Sequence, residues 1–195
     1  NKGGNTVKKT VLPMLACLLL LCGCGGKKAL SVQDQYRAVI SAEMEAEVVS
    51  CADAASRTFT LSCQYDAAGQ SVTTVTAPQE LAGLTAVLVG EELSVRSGDT
   101  LLPAGASTDV CPANCLPYLL RTLAGGYLTE QNEERLGDTP CLRLTLDAAG
   151  RSGTPVSCAV WLDKATLIPR YGEFSQNGQV VLTVKMLSFT CQTEE

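Results

Sequence analysis

The chain of 195 residues contains no histidine. That absence removes the Ser-His-Asp triad, the Cys-His dyad and every histidine-ligated metal site. Large aromatics are scarce too, with one tryptophan and three phenylalanines, so any core must be built from aliphatic side chains. Basic residues are outnumbered by acidic ones, 15 to 20. Without residues 1–23, which hold three lysines and no acid, 12 basic residues face 20 acidic ones, a net charge of −8. A nucleic-acid partner, which needs a basic footprint, is not expected. The chain also lacks an apolar run long enough to span a bilayer. Val11 to Cys22 is 12 residues, roughly 18 Å as a helix, against a hydrocarbon core of roughly 30 Å.

That short run has another use. Lys8 and Lys9 precede it and small residues follow it, the order of a basic, an apolar and a cleavage region in a secretory signal. Leu21-Cys22-Gly23-Cys24 resembles the bacterial lipobox, in which the last cysteine is diacylated and becomes the mature N-terminus. By that resemblance residues 1–23 are a lipoprotein signal peptide and Cys24 is the lipidation site, with Cys22 in a slot usually filled by Ala or Ser. Two acyl chains, at about 0.8 kcal/mol per buried CH₂, hold a protein at a membrane stably where one does not. Residues 24–30 then read as a short tether and 31–195 as one domain. Lys27 and Lys28 in the tether would each add about 1 kcal/mol against anionic headgroups. The expected location is the extracytoplasmic face of the cell membrane, anchored through Cys24.

Beyond the tether, Val32, Tyr36, Val39 and Ile40 recur at helical spacing with Ser31 as N-cap. The period then falls to two. Met44, Ala46 and Val48 alternate with Glu43, Glu45 and Glu47, and Phe59, Leu61, Cys63 and Tyr65 alternate with polar residues, as in a half-buried hairpin. "SVTTVTA", "LTAVLV" and "ELSVR" continue in the same way. "CLPYLLRTLAGG" breaks the pattern with Leu116, Leu119, Leu120 and Leu123 on one helical face and a Gly125-Gly126 stop. Strands resume in "CLRLTLD", "PVSCAVWL", "LIPRYGEF" and "QVVLTVKMLSF", the last two joined by an Asn177-Gly178 hairpin turn. The expected fold class is α+β, a strongly curved antiparallel sheet or incomplete barrel with two helices over its concave face.

This order of helix, five or six strands, mid-chain helix and closing meander resembles the lipoprotein carrier superfamily of the LolA, LolB and LppX types. "TAPQELAGLTA" and "VWLDKATLIPRYGEFSQNG" are similar to a Pro-containing turn and a hairpin of its Gram-positive lipoprotein members. The resemblance implies an apolar cavity that holds acyl chains; it names no cargo.

Pairing the last three strands about Asn177-Gly178, with Gln176 opposite Gln179, sets Tyr171 against Val184 and Arg170 against Lys185. Carried through a "DKAT" turn, this places Cys158, Tyr171 and Val184 in one row, Val160, Pro169 and Met186 in another, and Val156, Glu173 and Leu182 in a third, all on the concave face. Leu119, Leu120 and Leu123 form the lid. The candidate cavity is therefore Leu119, Leu120, Leu123, Val160, Tyr171, Glu173, Leu182, Val184 and Met186. Glu173 stands either near the mouth, meeting a polar or cationic headgroup, or at a solvated rim.

The same alternation separates Cys141 from Cys158 and Cys51 from Cys63. Cys111 and Cys115 remain as a disulfide or as free thiols. No catalytic residue, metal or cofactor is expected, and the carboxylate pairs Glu91-Glu92 and Glu133-Glu134 read as solvated. Two functions follow. One is binding of a lipid or acyl chain in the cavity; the other is a non-enzymatic protein-interaction or sensory lipoprotein with a filled core.

Overall fold

The computed structural model describes residues 27–51, 56–106, 109–148 and 155–194, and it describes the side chains of residues 27–31 no further than their helical backbone. The signal segment 1–23 and Cys24 lie outside the described residues. One compact unit comprises Val32–Glu195.

Helix α1 spans Lys27–Arg37. It runs straight through Ser31, so Ser31 is not its N-cap, and the backbone of residues 27–30 is helical. It also ends sooner than the spacing of Val39 and Ile40 suggests, because these residues already belong to strand β1 (Val39–Ser50), where Val39 pairs with Thr193. Pairing with a strand far away in sequence overrides a local helical period. Strands β2 (Arg57–Asp66), β3 (Gln70–Ala77), β4 (Thr85–Val89), β5 (Glu92–Ser97) and β6 (Thr100–Ala106) follow as a meander, with a 3₁₀ turn at Gln79–Leu81. Helix α2 is Cys115–Gly125. Strands β7 (Tyr127–Leu136), β8 (Thr139–Ala148), β9 (Val156–Asp163), β10 (Pro169–Gln176) and β11 (Gln179–Thr193) complete the chain.

All eleven strands form one antiparallel sheet, in the order β6-β5-β4-β3-β2-β1-β11-β10-β9-β8-β7. The sheet is open, and its first and last strands pair at its centre. Both edges are guarded. Strand β7 carries Glu130, Glu133, Glu134 and Arg135, while β6 pairs Ser94 with Pro103, which has no N–H to offer, and bulges beside Gly105, whose φ is +85°. Charges, proline and bulges all discourage pairing with a stray strand.

The core lies on one face of the sheet. Met44, Ala46 and Val48 of β1 and Leu61 and Cys63 of β2 are buried as their alternation requires, together with Leu144, Leu146, Val160, Leu162, Leu182 and Val184. Helix α2 caps them with Leu116, Leu119, Leu120 and Leu123, which join the same cluster. Its i, i+3, i+4, i+7 leucines make a continuous apolar stripe, the pattern that docks a helix on a sheet.

Two register irregularities correct the expected alignment of the last hairpins. The Asn177-Gly178 turn forms as expected, with φ of +52° and +77°, and Gln176 faces Gln179. A bulge between Phe174 and Ser175 then sets Tyr171 opposite Lys185 and Gly172 opposite Val184. The preceding turn is longer than "DKAT", since Asp163 N donates to Ile168 O at 2.9 Å, and a second irregularity follows between Pro169 and Tyr171. The rows are Cys158-Phe174-Leu182, Val160-Gly172-Val184 and Trp161-Tyr171-Lys185. One displaced residue inverts the facing of each side chain beyond it. Gly172 and Phe174 therefore point into the core, and Tyr171 and Glu173 point to the outer face.

Candidate functional site

Seven of the nine expected cavity residues come together in the core. Leu119, Leu120, Leu123, Val160, Leu182 and Val184 are each at most 3% exposed within one packed cluster, and Met186 rests against it. Phe174, which the slipped register had turned outward, fills the centre and meets Tyr118 edge-on with centroids 5.7 Å apart. Tyr171 and Glu173 are the two that leave the site. On the outer face Tyr171 lies against Trp161, with centroids 5.5 Å apart, and Arg143 lies 5.2 Å over the Trp161 ring. Trp161 Nε1 donates to Glu134 Oε2 at 2.9 Å, and Lys164 Nζ donates to Glu133 Oε2 at 2.6 Å. Glu133 and Glu134 thus stay on the exposed surface, as expected, while pairing with neighbouring side chains.

Two apolar hollows stand out among the described residues. One, 310 Å³, has α1 for a roof. Val32 and Tyr36, four residues apart, turn the same face of α1 inward and are both buried. Tyr36 Oη donates to Leu167 O at 2.6 Å, and Gln33 Nε2 donates to Gly126 O at 2.8 Å. The floor is the concave side of the central pair, where Val39 faces Thr193, Ala42 faces Cys191 and Met44 faces Phe189. The wall is the turn Thr166-Leu167-Ile168.

That turn is heavily determined. The Asp163 carboxylate accepts from Ala165 N at 3.0 Å, Thr166 N at 3.1 Å and Arg170 Nη2 at 3.1 Å. These donors, the Thr166 amide foremost, hold its carboxyl below the usual aspartate value. Leu167 N donates to Asp163 O at 2.7 Å, and Leu167 is held at φ +58°. A branched residue in the left-handed region is strained and persists only where its surroundings over-determine it. The strain presents Leu167 to the hollow.

A second apolar hollow, 170 Å³, sits between β2–β5, the 3₁₀ turn and Pro112-Ala113, with Phe59, Leu61, Val75, Leu84 and Ala86 among its walls. Its size is below the roughly 300–1,000 Å³ usual for small-molecule sites, whereas the hollow under α1 reaches that range.

The cysteines that bear on these sites are free thiols. Cys111 and Cys115 stand at the mouth of α2, where Cys115 N donates to Cys111 O at 3.0 Å, and neither is in a disulfide. Cys141 and Cys158 are likewise free and fully buried, and their neighbours in the register put them on opposite faces as expected.

No family model and no curated protein matches the chain. Among solved structures, an uncharacterized conserved protein from Thermus thermophilus is similar to it in fold, with a TM-score of 0.50, 12% identity, and coverage of 87% of this chain and 90% of that one. A LolA superfamily protein from Nitrosomonas europaea matches at TM-score 0.44 and 14% identity over 86% of this chain and 94% of that one. Lipoprotein LppX from Mycobacterium tuberculosis matches at 0.47 and 13% over 84% and 91%. At these identities the likeness to the Thermus protein is one of fold alone.

Tyr36, Phe189, Cys191 and the Thr166–Ile168 turn were not expected in the site. Their common signal is the β1–β11 pairing, which joins the two ends of the domain. The alternation of Phe189, Cys191 and Thr193 continues past "QVVLTVKMLSF" and marks them as one face, once the partner of that face is known.

Proposed function

We propose that the chain is a membrane-anchored extracytoplasmic lipoprotein that binds a hydrophobic or amphiphilic ligand, a lipid or acyl chain. The observation that carries the reading is the apolar hollow under α1, walled by Phe189, Val39, Leu167 and Ile168 on the concave face of the sheet. Packing to crystal-like density is the rule in protein interiors, and a hollow of this size lined by hydrocarbon has a use where hydrocarbon comes and goes. The anchor rests on Leu21-Cys22-Gly23-Cys24; Cys24→Ser is expected to leave the precursor unprocessed, and soluble secretion of that variant would remove the anchor from the proposal. Among the described residues no helix is long and apolar enough to cross a membrane.

The filled centre around Phe174 and Leu119 favours a second reading, a protein-interaction or sensory lipoprotein. Such a protein needs an exposed apolar patch. The most exposed large apolar residues, Val89, Leu101, Leu102, Tyr127 and Leu187, are 48–75% exposed, but they lie on β4, β6, β7 and β11, none of which neighbours another in the sheet, and Leu101 and Leu102, adjacent on one strand, point to opposite faces. Ligand binding is the better supported reading. Native mass spectrometry of the detergent-extracted chain tests it: a co-purified lipid mass is expected. An adduct-free spectrum, together with failure of every fluorescent lipid to bind saturably, would transfer the assignment to the interaction module.

A further inference from the structure

The turn between β10 and β11 brings together two groups that react with each other. Asn177 and Gly178 are exposed, as are Gln179 and Val180 behind them. The φ angles of Asn177 and Gly178, +52° and +77°, are the left-handed pair that a two-residue hairpin loop requires. The ladder ends at the Gln176–Gln179 rung, and its first fully buried side chains, Phe174 and Leu182, face each other further in. None of the side chains from Asn177 to Val180 belongs to the core cluster. Gly178 also has no side chain to stand between its own amide nitrogen and the Asn177 carboxamide.

From the exposed tip and the bare neighbouring amide we infer that Asn177 is a site of spontaneous deamidation, which converts it to aspartate and isoaspartate as the folded protein ages. Gly178 N attacks Asn177 Cγ, a new N–Cγ bond forms and the Cγ–Nδ2 bond breaks. The Gly178 amide proton goes to the departing nitrogen, which leaves as ammonia. Water then adds to one of the two carbonyls of the succinimide, and the ring opens to aspartate or isoaspartate. Nothing is oxidised or reduced, and water is the sole co-reactant. Either product adds a negative charge to the turn. Isoaspartate also inserts a methylene into the main chain, which the two-residue loop cannot accommodate without giving up its Gln176–Gln179 rung. The inference stands whether or not the hollow under α1 holds a ligand.

Asn114 and Asn132 serve as internal controls. Asn114 is 1% exposed, its Oδ1 accepts from Cys111 N at 2.8 Å, its Nδ2 donates to Asp109 O at 2.8 Å, and Cys115 follows it. Asn132 is exposed but lies within β7, donates to Glu130 Oε1 at 2.8 Å and precedes the bulky Glu133. Ring closure at Asn177 requires its ψ to leave the turn value, so the rate follows the opening of the tip. Opening costs the pair of hydrogen bonds that the end rung exchanges, a factor of roughly ten to a hundred. If the whole domain had to open, the factor would be roughly several thousand or more.

The full chain in mild detergent is incubated at mildly alkaline pH, with and without guanidinium chloride. Peptide mapping follows the gain of about 1 Da at each asparagine, and fragmentation separates isoaspartate from aspartate. Asn177 is expected to convert in the native protein at a rate roughly ten- to a hundredfold below that in denaturant, while native Asn114 and Asn132 stay intact. An Asn177 that converts in denaturant but stays intact in the native chain would overturn the inference, as would native conversion of Asn132 at the same rate. Asn177→Gly leaves a Gly-Gly turn, which the same hairpin accepts. This variant is expected to keep the parent's unfolding midpoint and to release no ammonia from native protein. Ammonia released from it at the parent's rate would place the reaction elsewhere and overturn the assignment.

Discussion

Leu119 of α2 reaches down to Gly172 of β10: a β-carbon placed on Gly172 would stand 3.5 Å from Leu119 Cδ1 and 4.0 Å from Val184 Cβ. These are ordinary contact distances, so helix and sheet are already in register at the centre of the concave face. The contact separates two substitutions at one position. Gly172→Ala adds a methyl that fits and is expected to stabilise by about 0.4–1 kcal/mol through the unfolded chain, while Gly172→Leu forces α2 outward and is expected to cost about 1–3 kcal/mol. Urea unfolding of both variants reads the difference as a shift in midpoint at constant slope.

The bulge between Phe174 and Ser175 makes a sharper prediction, because the two competing registers assign the core to different neighbours. With Phe174 fully buried against Cys158 and Leu182, Phe174→Ala is expected to cost about 3–5 kcal/mol. Glu173→Ala, on the outer face beside Tyr171, is expected to fall within about 0.5 kcal/mol of the parent. Chemical denaturation that ranked them the other way would restore the alignment with Tyr171 and Glu173 inside.

What was legible follows from that pair. Alternation in β1, β2, β8 and β9 and the leucine stripe of α2 were readable because each is a local period, and the Asn177-Gly178 turn because it needs only two residues of the right kind. The bulge was not readable: Phe174 and Ser175 carry no glycine or proline to announce it, and once a residue is displaced the period of two reports the wrong face. Strand β7 was hidden for another reason. As an edge strand with Glu130, Glu133, Glu134 and Arg135 in it, it has no buried face to impose alternation. The site suffered most, since its roof, floor and wall come from α1, β1, β11 and the Asp163–Ile168 turn, which only tertiary pairing brings together.

Thiol reactivity gives an independent check on burial. Cys63, Cys115, Cys141 and Cys158 are at most 1% exposed, while Cys51 and Cys191 are exposed. Burial pushes the Cys63 thiol up to about 11 and those of Cys115 and Cys158 up as well, and the thiolate is the reactive form. Native protein at neutral pH is expected to be labelled quickly at Cys51 and Cys191 and at the four buried thiols only as fast as the domain opens. Labelling in urea should bring all six to one rate. Fast native labelling of Cys158 would contradict the packing of β9 under α2.

The Asp163 turn predicts how the wall of the hollow responds to acid. Its carboxylate accepts from the amides of Thr166 and Ala165 and from Arg170, and these donors lower its proton affinity from the ordinary 3.8 in the folded state. A group whose folded value is depressed contributes stability that is complete above the unfolded value and is lost as pH falls through the folded one. The stability of the parent over Asp163→Ala is therefore expected to be constant above the ordinary aspartate range and to shrink steadily below 3.8. Asp163→Asn keeps an oxygen for the two amides but gives up the charge toward Arg170, so it should fall between the two at neutral pH and show less of this dependence. The structural consequence lies four residues away, since Leu167 is kept in its left-handed conformation by the same turn. Hydrogen exchange at the Leu167 and Ile168 amides, followed from neutral pH into the acid range with correction for intrinsic rates, should lose protection in parallel with the stability difference, and in Asp163→Ala it should be low throughout. Protection at Leu167 that persisted in Asp163→Ala would mean that Tyr36 and the packing of α1, rather than the carboxylate, hold this wall in place.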